Sequence, residues 1–198
     1  MGNDKKTGYV ELKRLFIAIT LPADFRFLLF ETIKDLARQD LAISPVAPEC
    51  IHLTLKFLGS TDILMLREIM AAIIDTAEAF GSFSFTPGPI IGSFPGIIST
   101  ARILFAPVED NVEQITNVFK ALENNLAKIQ IKKDERKFIP HITIARIRGK
   151  LNTGTADLIK KTSLGYKGSI ICSKITLFES RLKPTGADYI ILEEFALK

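Results

Sequence analysis

The 198-residue chain is 47% hydrophobic and 24% charged, the balance of a globular protein large enough to bury roughly 70% of its unfolded surface without disulfide or metal support. Its formal net charge of +4 and pI near 9.0 suit a polyanionic partner without requiring one. Charges interrupt every apolar run before it reaches membrane-spanning length, the first residues lack the apolar stretch of a secretory signal, and the isolated Cys50 and Cys172 form no C-x-x-C pair, so a cytoplasmic protein with reduced thiols is expected.

Residues 1–8 are polar and read as a loose segment. Residues 12–21 read as a strand around Leu15-Phe16-Ile17-Ala18-Ile19, whose unbroken apolarity predicts burial. Pro22 opens a helix to about residue 39, with an apolar stripe of Phe25, Leu28, Leu29, Ile33, Leu36 and Ala37 at three- and four-residue spacing. Pro45 and Pro48 mark a loop.

Residues 51–58 alternate. Ile51, Leu53, Leu55 and Phe57 share one face, and His52, Thr54 and Lys56 share the other. Gly59 is expected to end this strand. Asp62 starts a helix to about residue 80 on the stripe Leu66, Ile69, Met70, Ile73 and Ala77. Residues 83–91 and 97–107 read as two strands around the turn-rich Gly92-Ser93-Phe94-Pro95-Gly96. A third helix opens at Asp110, with Glu113 at capping-box spacing, and packs through Ile115, Phe119, Leu122 and Leu126. Residues 142–147 form the next strand. A short helix over 155–162 and strands over 169–178 and 189–195 complete the chain. Helices and strands mix without a glycine-rich phosphate loop, and neighbouring strands with short turns favour a mainly antiparallel α+β fold. We expect one domain of two similar lobes, with a sheet and flanking helices in each, around a central cleft.

The chain's two histidines stand in the same pattern, His52-Leu53-Thr54-Leu55 and His141-Ile142-Thr143-Ile144. One H-x-T on a strand is commonplace, but here the pattern uses every histidine available. Each copy puts an imidazole and a hydroxyl on one face and two aliphatic residues on the other. Histidine exchanges protons near neutral pH, so a converging pair suits one general acid and one general base. Thr54 and Thr143 supply hydroxyl donors, and Lys56 adds positive charge on the same face. Neither histidine belongs to a usual zinc ligand set, and no metal or cofactor is called for. Strict alternation turns Arg146 away from His141, so it reaches the same face only if the strand bulges.

Six blocks in order resemble the two-histidine phosphoesterases, and within them the RNA 2′,3′-cyclic phosphodiesterases once called 2′-5′ RNA ligases. They are Arg14-Leu15-Phe16-Ile17-Ala18, residues 52–59, Gly92-Ser93-Phe94-Pro95, residues 136–146, Ser180-Arg181-Leu182, and Gly186 with Tyr189. The resemblance implies a bilobal pair of pseudo-symmetric, mainly antiparallel sheets and opening of a terminal 2′,3′-cyclic phosphate on RNA to a 2′-phosphate. It implies His52 as proton donor and His141 as proton acceptor, although the two motifs are locally equivalent and leave that assignment open. Many relatives carry a tryptophan ahead of the first motif. This chain has none, and Ser44-Pro45-Val46 occupies the stretch.

Between residues 128 and 150 lie Lys128, Lys132, Lys133, Arg136, Lys137, Arg146, Arg148 and Lys150, opposed by Asp134 and Glu135. The run is a candidate RNA-guiding rim, with Arg136 as a candidate substrate contact and Phe94 and Phe138 as candidate stacking rings. The expected partner is RNA with a 2′,3′-cyclic phosphate end, met by a monomer away from membranes. The alternatives are ligation by reversal of the same chemistry and a non-catalytic module that binds RNA ends.

Overall fold

The computed structural model describes residues 11–184 and 186–198; the expected loose segment at 1–8 lies outside them. The described elements are β1 (Leu12–Ile19), α1 (Ala23–Ala37), β2 (Ile43–Pro45), β3 (Leu53–Asp62), α2 (Leu66–Glu78), β4 (Phe83–Phe85), β5 (Gly92–Phe94), β6 (Ile103–Pro107), α3 (Val112–Lys128), β7 (His141–Ile147), α4 (Thr153–Lys161), β8 (Ile170–Cys172), β9 (Lys174–Lys183) and β10 (Gly186–Ala196). Local signals explain several boundaries. Asp62 accepts a hydrogen bond from the Leu64 amide at 2.9 Å and starts the 3-10 turn that leads into α2. Asn152 caps α4 by accepting from the Thr155 amide at 2.7 Å, the expected work of an asparagine there.

Eight strands form one antiparallel sheet in the order β10-β9-β1-β3-β7-β6-β5, with β2 also paired to β7, while β4 and β8 make a separate two-stranded sheet. The large sheet divides into two halves of four strands. β3 and β7 touch through one register pair, Leu53 opposite Ile142. Beyond that point β2 takes over the β7 edge, through Ile43 opposite Ile147, Ser44 opposite Arg146 and Pro45 opposite Ala145. Helices α2 and α3 pack on the β10-β9-β1-β3 half, and α1 and α4 on the other. The α+β, two-lobed, mainly antiparallel reading therefore describes the fold. A continuous apolar core runs through both halves and includes Ile17, Leu53, Ile69, Ile115, Ile142 and Ile159.

Several local expectations are corrected. Gly59 does not end its strand: it adopts φ +72° within β3, a conformation glycine enters without steric cost, and pairing continues to Asp62. The turn-rich Gly92-Ser93-Phe94 is itself strand β5, paired with β6, whereas Phe83–Phe85 leaves for β8. No capping box forms at α3, because Asn111 is the left-handed N-cap residue without a side-chain cap. The Asp110 carboxylate instead accepts from the Thr86 amide and hydroxyl, which ties the helix start to the β4 end.

Leu53 carries the junction between the half-sheets and is fully buried. Leu53→Ala is expected to cost about 2–5 kcal/mol, read as a lower urea midpoint with an unchanged m-value. A loss under ~1 kcal/mol would mean that the halves are held together elsewhere.

Candidate active site

The pairing of Leu53 with Ile142 brings the two motifs together. Both residues point into the core, so their neighbours His52, Thr54, His141 and Thr143 face the opposite side of the sheet, in the cleft between the halves. In an antiparallel pair this arrangement sets His52 across from Thr143, and His141 across from Thr54. The two histidines lie close enough that the charge of His141 acts on the ionisation of His52.

Each imidazole is held by a carbonyl two residues upstream. His141 donates from Nδ1 to the Ile139 carbonyl at 2.8 Å. Because a carbonyl only accepts, Nδ1 carries the hydrogen and Nε2 is bare in the neutral ring. His52 makes the equivalent backbone bond to Cys50 and meets the Thr54 hydroxyl at 3.0 Å through Nε2. Both rings therefore present Nε2 to the cleft. The turn before His52 is itself anchored, since Arg26 of α1 donates to the Pro48 carbonyl at 3.1 Å and the Cys50 thiol to the Ala187 carbonyl at 3.3 Å.

Aromatic rings floor both sides. Phe16, Tyr189 and Phe178 stand 4.8, 5.4 and 6.1 Å from the His52 ring by centroid. Phe94 and Phe105 stand 5.0 and 5.3 Å from His141 and stack on each other at 4.4 Å. Gly92 permits that second floor, because a Cβ there would overlap the Phe105 ring. Phe138 is stacked on Phe119 of α3 at 4.0 Å and serves as packing.

The environments of the two histidines differ. Burial among the aromatic rings lowers the His52 pKa to about 4; the backbone bond to Cys50 opposes this shift and the charge of His141 adds to it. His52 is thus neutral at pH 7 in the free protein. The neutral form then accepts a hydrogen bond from Thr54.

Bulges reassign two positions. In the β1–β3 register Ala18 faces Thr54 and Ile17 faces Lys56, so Leu55 is an extra residue. Alternation shifts by one, and Lys56 leaves the histidine face for the core side. This corrects the expectation that Lys56 binds substrate. Its ammonium is buried between Glu123 at 2.7 Å, Asp134 at 2.9 Å and the Lys132 carbonyl at 2.9 Å, and Glu123 also accepts from the Asp134 amide at 2.7 Å. The same shift turns Phe57, 67% exposed, onto the cleft face beside Phe16. On the other side Leu104 faces Ala145 and Phe105 faces Thr143, so Ile144 is the extra residue. Arg146 consequently joins His141 and Thr143 in the cleft, five residues after its histidine just as Phe57 is five after His52. Alternation alone missed both; a pair of adjacent buried residues in each strand, Leu55-Lys56 and Ile144-Ala145, is the structural trace of the bulge, and the lysine hides it in the sequence. Ser44, in the stretch where relatives carry tryptophan, lies opposite Arg146. Arg136 is exposed in the irregular segment ahead of β7 and makes no ion pair among the described residues.

Two lobes joined at a two-stranded waist, with an inward imidazole and hydroxyl from each, define the two-histidine phosphoesterases as a class. The sequence pattern of LigT-like phosphoesterases matches residues 19–90 and 105–187, spanning both motifs. A protein of Methanothermobacter thermautotrophicus named RNA 2′,3′-cyclic phosphodiesterase is 30% identical over 93% of this chain and 98% of its own. One of the same name from Thermotoga maritima is 30% identical over 91% and 94%. Among solved structures, a Thermus thermophilus protein superposes with a TM-score of 0.77 at 27% identity, covering 93% of this chain and 97% of that one. Apo LigT of E. coli superposes with a TM-score of 0.74 at 25% identity, covering 95% and 99%. The chain belongs to the LigT-like phosphoesterase family.

Two outcomes follow from this geometry. Lys56→Met leaves Glu123 buried without its cation and is expected to cost about 3–5 kcal/mol in urea unfolding; adding Glu123→Leu should recover most of that loss, and no recovery would refute the buried pair. For His52, the folded state binds fewer protons than the unfolded chain between the ordinary pKa of 6.5 and about 4, so stability falls as pH drops through that window. Its ring proton resonance should titrate with a midpoint near 4, and the midpoint should rise when inorganic phosphate is added, because a nearby anion favours imidazolium. A midpoint that phosphate leaves unmoved would place the anion elsewhere.

Proposed function

We propose that this protein is an RNA 2′,3′-cyclic 3′-phosphodiesterase that opens a terminal cyclic phosphate to a 2′-phosphate by acid-base catalysis. The supporting observation is the convergence of His52 with Thr54 and His141 with Thr143 on one cleft, from opposite sides of the Leu53–Ile142 junction. Relatives named for this activity match along most of the chain.

In the proposed reaction, the bare Nε2 of His141 takes a proton from water as the water oxygen bonds to phosphorus. His52, protonated at Nε2, gives its proton to the departing 3′ oxygen as the P–O3′ bond breaks. The products are a 2′-phosphate and a free 3′ hydroxyl, with one proton moved from His52 to His141 in net. The low affinity of free His52 for a proton makes its protonated form a strong acid, and the phosphate anion supplies the charge that loads it. Protonation of Nε2 also releases the Thr54 hydroxyl, which then donates to a non-bridging oxygen. Thr143 does the same from the other side. Arg146 faces the same cleft and neutralises charge that builds on the phosphate.

We read the chain as a single two-lobed domain acting as a monomer. No helix among the described residues is long and apolar enough to cross a membrane. Both cysteines are free and buried, which suits a reducing cytoplasm.

The test is a short RNA ending in a 2′,3′-cyclic phosphate, incubated with the protein in chelator, with the product's phosphate position read by mass spectrometry and enzymatic digestion. Wild type should leave the 2′-phosphate. His52→Ala and His141→Ala should each lose about 10²–10⁴-fold in kcat while keeping the wild-type Tm. The pH profile should be bell-shaped, since one imidazole acts charged and the other neutral. Full turnover by either variant would sink the two-histidine mechanism.

A further inference from the structure

The cleft face of the first half-sheet carries a cation that the mechanism above does not use. Alternation along β1 puts Arg14 on the same face as Phe16 and Ala18, and no bulge relative to β9 intervenes between Leu15 and Ala18. Arg14 lies opposite Ser60 of β3. The β1–β9 pairing ends at Leu15 with Glu179, and continuing its register by one step brings Arg14 level with Ser180 of β9, which in turn faces Tyr189 of β10. Three hydroxyl residues and a guanidinium thus line up across four strands, one strand period from the Phe16 ring that packs on His52.

The cations around Arg14 are neutralised. Lys13 and Arg181 share Glu179 at 3.1 and 2.8 Å, and Lys183 pairs with Asp188 at 2.6 Å. Arg14 is exposed and has no ion pair or side-chain hydrogen bond among the described residues. Two residues of strand separate its Cα from that of Phe16 by about 6.8 Å, a spacing comparable to that between successive phosphates of one nucleic-acid strand. With the Phe16 ring 4.8 Å from the His52 ring, the long Arg14 side chain extends the same face one strand period past the histidine, on the scale of the step from one phosphate to the next.

We propose that Arg14, with the hydroxyls of Ser180 and Tyr189, forms a subsite for the phosphate on the 5′ side of the terminal nucleotide, so that the enzyme selects RNA ends and 5′-phosphorylated nucleotides over a nucleoside cyclic phosphate. This inference rests on the cyclic phosphodiesterase reading. It makes Arg14 a specificity residue for the substrate's second charge, apart from the acid-base pair. Burial raises the Tyr189 pKa, and the charges of Arg146 and Arg14 both pull it back, so the phenol senses both guanidinium groups across the cleft. A fork of five N–H donors is well matched to a phosphate.

The experiment compares adenosine 2′,3′-cyclic phosphate with the same compound carrying a 5′-phosphate, using the full chain and its Arg14→Gln and Arg14→Lys variants. A charge-assisted contact of ordinary strength predicts that wild type favours the 5′-phosphorylated compound by about 10-fold or more in kcat/KM, chiefly through KM. Arg14→Gln should bring that ratio close to one, and Arg14→Lys should hold an intermediate ratio. The wild-type preference should also shrink with added salt more steeply than that of Arg14→Gln. Equal kcat/KM for both compounds in wild type, or a preference that survives Arg14→Gln, overturns the subsite while leaving the cyclic phosphodiesterase intact. Opening of neither compound, nor of a cyclic-ended RNA, overturns the catalytic reading and the subsite with it.

Discussion

Leu53 and Ile142 pair across the narrowest part of the large sheet, and the arrangement of the cleft depends on that contact. Each belongs to a different half-sheet and each is fully buried. Because side chains alternate along a strand, burying these two on the helix side forces the flanking His52, Thr54, His141 and Thr143 to the opposite side. A slip of one residue at this junction would send the imidazoles into the core and the aliphatic residues into the cleft. The apolar burial that joins the lobes is thus also what aims the polar groups. The short contact matters too: past it β2 covers the remaining β7 edge, so β3 and β7 share only the one register pair.

The bulges at Leu55 and Ile144 act on each half in the same way. Each inserts a residue just past the threonine and reverses the alternation, so the side chain five positions after the histidine returns to the cleft. In one half this is Phe57 and in the other Arg146. A pseudo-symmetric backbone thereby gives an asymmetric lining at this position, an aromatic ring in one half and a guanidinium in the other. Lys56, displaced to the core side by its bulge, ties β3 to α3 and to the segment that leads into β7. Its ammonium donates to the Lys132 carbonyl and lies within ion-pair distance of Glu123 and Asp134, and such pairing is the condition under which a buried ammonium is tolerated.

Asymmetry also separates the two histidines. Both are oriented by a backbone carbonyl two residues upstream, yet Phe16, Phe178 and Tyr189 enclose His52 while His141 meets Phe94 and Phe105 edge-on. The enclosure of His52 disfavours its charged form in the free protein. A nearby anion favours imidazolium, so in the proposed reaction the protonation of the acid is coupled to the presence of substrate.

Much of this protein is legible along its chain. The apolar period of α1, α2 and α3, the mixed α+β order and the doubled His-x-Thr pattern are local properties, and local spacing sets which residues of a helix or short strand share a face. The pairing of the two motif strands, the bulges and the ionic partners of Lys56 depend on contacts between residues far apart in the chain. Alternation correctly grouped His52 with Thr54 and His141 with Thr143 because no bulge separates them. It failed for Lys56, Phe57 and Arg146 because the extra residue in each strand is set by the register of its neighbour, which is a property of two chain segments at once. The identity of the side chains in the candidate site was therefore written in residue order, whereas which of them meet was settled only when distant strands came into register.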